Sequence, residues 1–258
     1  LLWFALPLMV GNVFQQFYNT VDSIVVGNFV GKEALAAVGS VGSIINSVIG
    51  FFGGLATGAS VVIAQSYGAK NDGKVSIAVH TTFCMTLVLC VVFTIVGISA
   101  TPFLLRFMSM PDDVIGEATE YLMIYFSGVS GLMIYNMGAG VLRAVGDSKV
   151  SMKVSLVANL VNVVGNAILI YGVGIGAAGA ALSTLFSRVL SAVLILMLLK
   201  KSDKIIMSNH WRLDTKILGK ILYIGVPNGL ENSIFQIGKL LTTSLIGGFG
   251  MAATTANA

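Results

Sequence analysis

Charged residues are scarce in this sequence. Fifteen Lys and Arg and eleven Asp and Glu make up only 10% of its 258 residues, where a soluble domain carries about 25%. A surface so poor in charge does not suit a water-soluble globule. Cysteine is nearly missing too: Cys84 and Cys90 both fall inside one apolar run, which excludes a disulfide framework and leaves them as small packing residues. With two histidines, no His, Cys or acid constellation has metal or nucleophile geometry, so the chain does not read as an enzyme and calls for no cofactor. The net charge of +4 does not indicate nucleic-acid binding, because what matters is where the basic residues lie.

What is present is apolar length. Hydrophobic residues make up 56% of the chain and a further thirty residues are glycine, which is tolerated in membrane helices, where it allows close packing. A bilayer core of about 30 Å takes about 20 residues of helix. Seven spans are predicted, at 2–27, 34–66, 76–105, 117–142, 151–172, 176–200 and 217–246. The fold class is therefore an all-α polytopic membrane protein. There is no initiator Met and no cleavable signal pattern, and the apolar start runs straight into a span, so the chain is expected to start just inside a longer protein.

The joints between spans are short and polar, and alternate joints fall on one side. Lys70, Lys74, Arg143, Lys149, Lys153, Lys200, Lys201, Lys204, Arg212, Lys216 and Lys220 share a side, against Lys32 and Arg106 on the other. The positive-inside rule makes the first side cytoplasmic, so the N-terminus is cytoplasmic and the first span runs outward. The joint at 202–216, with His210 beside Trp211, reads as an interfacial linker at the headgroups.

The chain also repeats. A shift of 220 residues lays Pro7 on Pro227, Asn12 on Asn232, Gln16 on Gln236, Gly27 on Gly247 and Phe29 on Phe249. Two parallel-repeat halves of about six helices each, enclosing a cleft that opens alternately to either face, account for this. On that reading residues 1–201 form a six-helix N-terminal lobe, 202–216 a cytoplasmic linker, and 217–258 the first helix of a truncated C-terminal lobe.

The first span carries Asp22 in its outer part, with Gln16 and Tyr18 nearby. A charge within a span costs about 2.5–3.5 kcal/mol on insertion scales and usually marks an ion or substrate pathway. Two readings of Asp22 stand. In low dielectric its proton affinity rises, so it can load and unload a proton, or ligate Na⁺ beside neutral oxygens. Alternatively it reaches the outer headgroups, since the helix ends about 7 Å away. Tyr18 lies one turn deeper on the same face. Asn159, Asn162 and Asn166 form one stripe on the fifth span, which should face the lobe interior or pack against another helix. Asn136, Glu231, Gln236 and Gln16 are weaker candidates for a substrate cleft, and Arg188 and Lys239 are the basic residues within spans. Gly50, Gly54 and Gly58 make a strip for close helix approach. Arg143-Ala144-Val145-Gly146-Asp147-Ser148-Lys149 reads as a tight turn in which Asp147 tethers Arg143 or Lys149, since it lacks the glycine pattern of a phosphate loop.

Several segments together resemble the multidrug and toxic compound extrusion (MATE) family. They are Leu6-Pro7 with Gln15-Gln16, Tyr18-Asn19, Asp22 and Gly27; Ala34-Leu35-Ala36-Ala37-Val38-Gly39; Leu142 to Lys149; and Asn162 ahead of Ile168-Leu169-Ile170-Tyr171-Gly172, then Gly179-Ala180-Ala181 and Ser183-Thr184. The resemblance implies a two-lobed, twelve-helix antiporter in the plasma membrane. It would export organic, often cationic, compounds against H⁺ or Na⁺, with membrane lipids and the C-terminal lobe of the same chain as partners. It makes Asp22 the coupling-ion acid, with Tyr18, Asn162, Asn166 and Thr184 around it, and Asp22 the ligand should the ion be Na⁺. The chain departs from the family pattern at Asn166-Ala167, where many members have Asp-Pro, so the lobe has one such acid instead of two. A lipid-linked oligosaccharide flippase of the wider superfamily is the alternative. It would need several basic residues in the cleft, and only Arg188 and Lys239 are on hand.

Overall fold

The structure, a computed structural model, describes residues 9, 13, 32–107, 112–202 and 213–247. Among the described residues seven α-helices follow one another: α1 (Lys32–Gly68), α2 (Asp72–Phe107), α3 (Asp112–Ser127), α4 (Val129–Ala144), α5 (Ser148–Asn166), α6 (Gly176–Lys200) and α7 (Thr215–Gly247). A π-helical stretch, Ala167–Gly172, continues α5. No strand occurs among the described residues. The first predicted span, apart from Met9 and Val13, lies outside them, and with it Asp22, Tyr18 and Gln16.

Among the described residues, four helices are long and apolar enough to cross a membrane, five if the bent pair α3–α4 counts as one span. They make the protein multi-pass. Their outer faces are apolar and exposed, as bilayer contact requires: Leu87, Val88, Val91, Val92 and Ile95 on α2, and Val157, Leu160, Val164 and Ile168 along α5 and its extension. The last four are spaced by three or four residues, opposite the amide stripe of the same helix. Buried residues form two clusters, one around Phe52, Leu55, Met133, Met137 and Ile195, the other around Leu105, Leu122, Tyr125 and Phe126.

One expectation is corrected and two spans gain detail. The fourth span is bent. It breaks at Gly128, where Ala118–Ser127 and Val129–Ala144 meet at a 46° bend. The Gly128 N–H reaches the carbonyls of both Ile124 and Tyr125, and the side chain of Leu185 lies 3.0 Å from where a Cβ would stand, so α6 packs into the corner. The fifth span ends as an α-helix at Asn166 and widens into the π-helical stretch. The turn after α4 is closed by backbone groups instead of the Asp147 carboxylate. Gly146 takes φ +82°, its N–H donates to Arg143 O (3.0 Å), and the Asp147 N–H donates to Leu142 O (2.8 Å), as at many helix C-termini.

The strip Gly50, Gly54 and Gly58 is a seam. A Cβ at position 58 would meet Ile221 O at 2.5 Å and Gly225 N at 2.6 Å, one at position 54 would overlap Gly229, and one at position 50 would touch Asn232 Cβ at 3.3 Å. Helices α1 and α7 thus run backbone against backbone over most of two turns. Asp214 caps α7: its Oδ1 accepts from the N–H groups of Lys216 (2.8 Å) and Ile217 (3.0 Å). Its own N–H donates to Thr81 Oγ1 of α2 (3.1 Å). The predicted seventh span is helical from Thr215 to Gly247, and it is not among the described helices apolar enough to be counted as spans. Residues 203–212 of the linker lie outside the described residues.

Candidate functional site

Two stripes of small polar side chains face each other across α5 and α6. On α5, Asn159, Asn162 and Asn166 recur at spacings of three and four. On α6, Ser183, Ser187 and Ser191 recur every four residues, with Thr184 alongside. Either periodicity keeps the residues on one helix face. The helices are joined through Gly172–Ile175, and Gly174 at φ +73° makes the reversal. They can come this close because Gly165 has no Cβ where the Ser183 hydroxyl sits.

The stripes are laced by hydrogen bonds. Asn162 Nδ2 donates to Thr184 Oγ1 (3.1 Å) and Ser187 Oγ (3.2 Å). Asn166 Nδ2 donates to Asn162 Oδ1 (3.0 Å), and Ser183 Oγ donates to the Asn162 carbonyl (2.8 Å). Both amides are 2% exposed. In a low-dielectric interior such a network holds its members in fixed geometry, because each unmade bond is costly. Three of the predicted coupling-ion residues, Asn162, Asn166 and Thr184, therefore stand in one cluster. The other two, Asp22 and Tyr18, lie outside the described residues.

The cluster borders a cavity of about 690 Å³. Its walls are Ile49 of α1; Leu132, Tyr135 and Asn136 of α4; Ser155, Ala158, Asn159 and Asn162 of α5; Thr184, Ser187, Arg188 and Ser191 of α6; and Gln236 of α7. Of the predicted cleft residues, Asn136 and Gln236 line this cavity. The Asn136 amide donates back to Leu132 O at 3.0 Å. Glu231 is exposed on α7 and is not on the wall, Gln16 lies outside the described residues, and so does the side chain of Lys239.

Sequence reasoning passed over Ser187, Ser191 and Tyr135, and placed Arg188 within the sixth span, with a cleft-facing position as the natural guess and its role open; the structure puts it on the cavity wall. The four-residue recurrence Ser183, Ser187, Ser191 was a readable signal for a polar helix face. Arg188 is set by a close approach of α4: a Cβ on Gly131 would lie 3.0 Å from the Arg188 carbonyl carbon. Its guanidinium carbon stands 4.3 Å from the centroid of the buried Tyr125 ring. No group of three or more His, Cys, Asp or Glu able to hold a metal ion occurs among the described residues.

Comparison with known proteins bears on this arrangement. The MatE family model matches residues 7–168. A probable multidrug resistance protein of Bacillus subtilis, YoeA, is 29% identical across 98% of this chain and 57% of its own length. Another from the same organism, YpnP, is 30% identical across 97% and 56%. A solved outward-facing structure of a multidrug resistance MATE family transporter superposes with a TM-score of 0.88 at 29% identity, covering 93% of this chain and 54% of that one. The chain spans about half the length of the curated relatives it matches.

Proposed function

The chain belongs to the MatE family, and on that premise we propose that it is the N-terminal lobe, with the first helix of the C-terminal lobe, of a secondary antiporter. The whole protein exports drug-like organic compounds, cationic by the family resemblance, in exchange for H⁺ or Na⁺ by alternating access. Residues 1–201 are the lobe, 202–216 the linker and 217–258 the start of the second lobe. The N-terminus is cytoplasmic and the membrane is the plasma membrane.

One observation carries this reading: the cavity is walled by α1, α4, α5 and α6 and also by Gln236 of α7. A space shared between a lobe and the first helix of the next half is where a rocking transporter binds its cargo. Asp22, Tyr18, Asn162, Asn166 and Thr184 make the coupling-ion site. The amide and hydroxyl oxygens are neutral donors to a cation, and Asp22 supplies the charge. The hydrogen bond between Asn166 and Asn162 occupies the position where a second acid would offer a proton-sharing pair, so coupling falls to one carboxylate. Gln16, Asn136, Glu231 and Gln236 belong to the substrate path.

The test is export of a fluorescent cation from membrane vesicles holding the two-lobed protein, under imposed H⁺ or Na⁺ gradients. Asp22→Asn should abolish gradient-driven export while membrane insertion is unchanged. Full gradient-driven export by that variant would remove Asp22 from the coupling site.

A further inference from the structure

The cavity wall holds a charge that the coupling site does not use. Arg188 is half-buried on α6 and lines the space. No Asp or Glu is among the described residues on that wall. The Tyr125 ring under the guanidinium offers a cation–π contact, worth about 0.5–2 kcal/mol. That is small beside the cost of holding a cation at membrane depth with no acid from the described residues on the same wall. A guanidinium so placed is matched by an oxyanion, which accepts its planar fork of N–H donors.

A second donor stands at the same level. Helices α5 and α6 are antiparallel, and Asn162 bonds Thr184 and Ser187 across the gap. One turn back along α5 comes Asn159, and one step on along α6 comes Arg188, both on the cavity wall. Asn159 Nδ2 is buried with no hydrogen-bond partner among the described residues, an arrangement costly unless a ligand or water completes it. The serines nearby have spent their protons, Ser187 on Thr184 O (2.9 Å) and Ser191 on Arg188 O (2.8 Å). Among the polar groups on the wall, Arg188 brings the charge and Asn159 a buried amide nitrogen with no partner among the described residues.

We propose that Arg188 and Asn159 form a binding site for the oxyanion, a carboxylate or phosphate, of an amphiphilic ligand held in this cavity. The site rests on the transport reading in treating that ligand as cargo, and it deepens that reading: the cargo carries an acid group beside its cationic one. Arg188 fixes the acid group, and the apolar walls at Ile49, Leu132 and Ala158 take the chain.

The experiment uses the full-length protein in phosphatidylcholine nanodiscs, with binding of decyl phosphate and decyltrimethylammonium read by thermal shift and by equilibrium dialysis. Decyl phosphate should bind. Arg188→Gln should weaken it about tenfold or more, as loss of a charged hydrogen-bonding partner implies, and leave decyltrimethylammonium no weaker. Arg188→Lys should retain part of the affinity, and that variant carries the test should Arg188→Gln not fold. Asn159→Ala should weaken decyl phosphate several-fold. Failure of the wild type to bind decyl phosphate, or equal binding by wild type and the Arg188 variants, overturns the proposal. Repeating the titration in phosphatidylglycerol nanodiscs separates the sources of the acid group. Arg188-dependent competition assigns it to the membrane lipid, and its absence to a soluble amphiphile. Arg188-dependent binding without any gradient-driven export would tell against the antiporter reading alone. Export without such binding would tell against this site alone.

Discussion

Asn162 is the residue on which the polar cluster depends. Its amide donates to two hydroxyls and accepts from a second amide, all while 2% exposed. Asn162→Ala removes the acceptor of the Asn166 amide and both hydroxyl contacts and leaves a void, so it should lower stability by about 1–3 kcal/mol, measured by thermal unfolding of the protein in detergent. Thr184→Val removes one acceptor and leaves Asn162 bonded to Ser187, and should cost less than about 1 kcal/mol, in keeping with the modest worth of single interhelical bonds in membranes. If the two variants unfold at the same temperature, the cluster does not act through Asn162. The same residue scale shows why charge alone was a poor guide: Arg188 finds its place through an aromatic face and a glycine on a neighbouring helix, and neither is near it in sequence.

Among the elements, α1 and α7 have the closest approach. Gly58→Ala would drive a methyl group against Ile221 O and Gly225 N at 2.5 and 2.6 Å, and both neighbours are backbone that cannot turn aside. A loss of about 1–3 kcal/mol is expected from such overpacking. Gly53→Ala on the same helix meets nothing within 4 Å and should be neutral or add up to about 1 kcal/mol, since alanine is the better helix former. Opposite ordering of these two melting temperatures would mean the seam is not a packed contact. At the start of α7, Asp214→Ala removes the cap on two N–H groups and should cost about 0.5–2 kcal/mol. Asp214→Asn, which keeps the acceptor oxygen, should restore most of it.

For the whole molecule, the proposed orientation sets opposite faces for two short joints. The turn at Asn71 follows α1 and lies on the side of Lys70 and Lys74, whereas Val173 lies in the joint before α6. With Cys84 and Cys90 replaced by alanine, Val173→Cys in intact cells should react with an impermeant maleimide, and Asn71→Cys should react only after permeabilisation. The reverse pattern would invert the topology and place the N-terminus outside.

Sequence alone determined the class of molecule, the rough limits of the five spans between residues 34 and 200, and the three amides of α5 as one stripe. It could do so because the bilayer imposes a length of apolar helix and because a helix turns every 3.6 residues, two constraints that act locally. It also marked Gly50, Gly54 and Gly58 as a surface for close approach, but not the partner. Only the tertiary structure decided that α7 fills that strip, that the fourth span bends at Gly128, and that α5 widens into a π-helical stretch after Asn166. The first two follow from a neighbouring element: the backbone of α7 enters the α1 strip, and Leu185 of α6 packs at the corner at Gly128. The company of Arg188 is likewise decided at long range, since its ring partner Tyr125 and its neighbour Gly131 lie on helices brought beside α6 by packing.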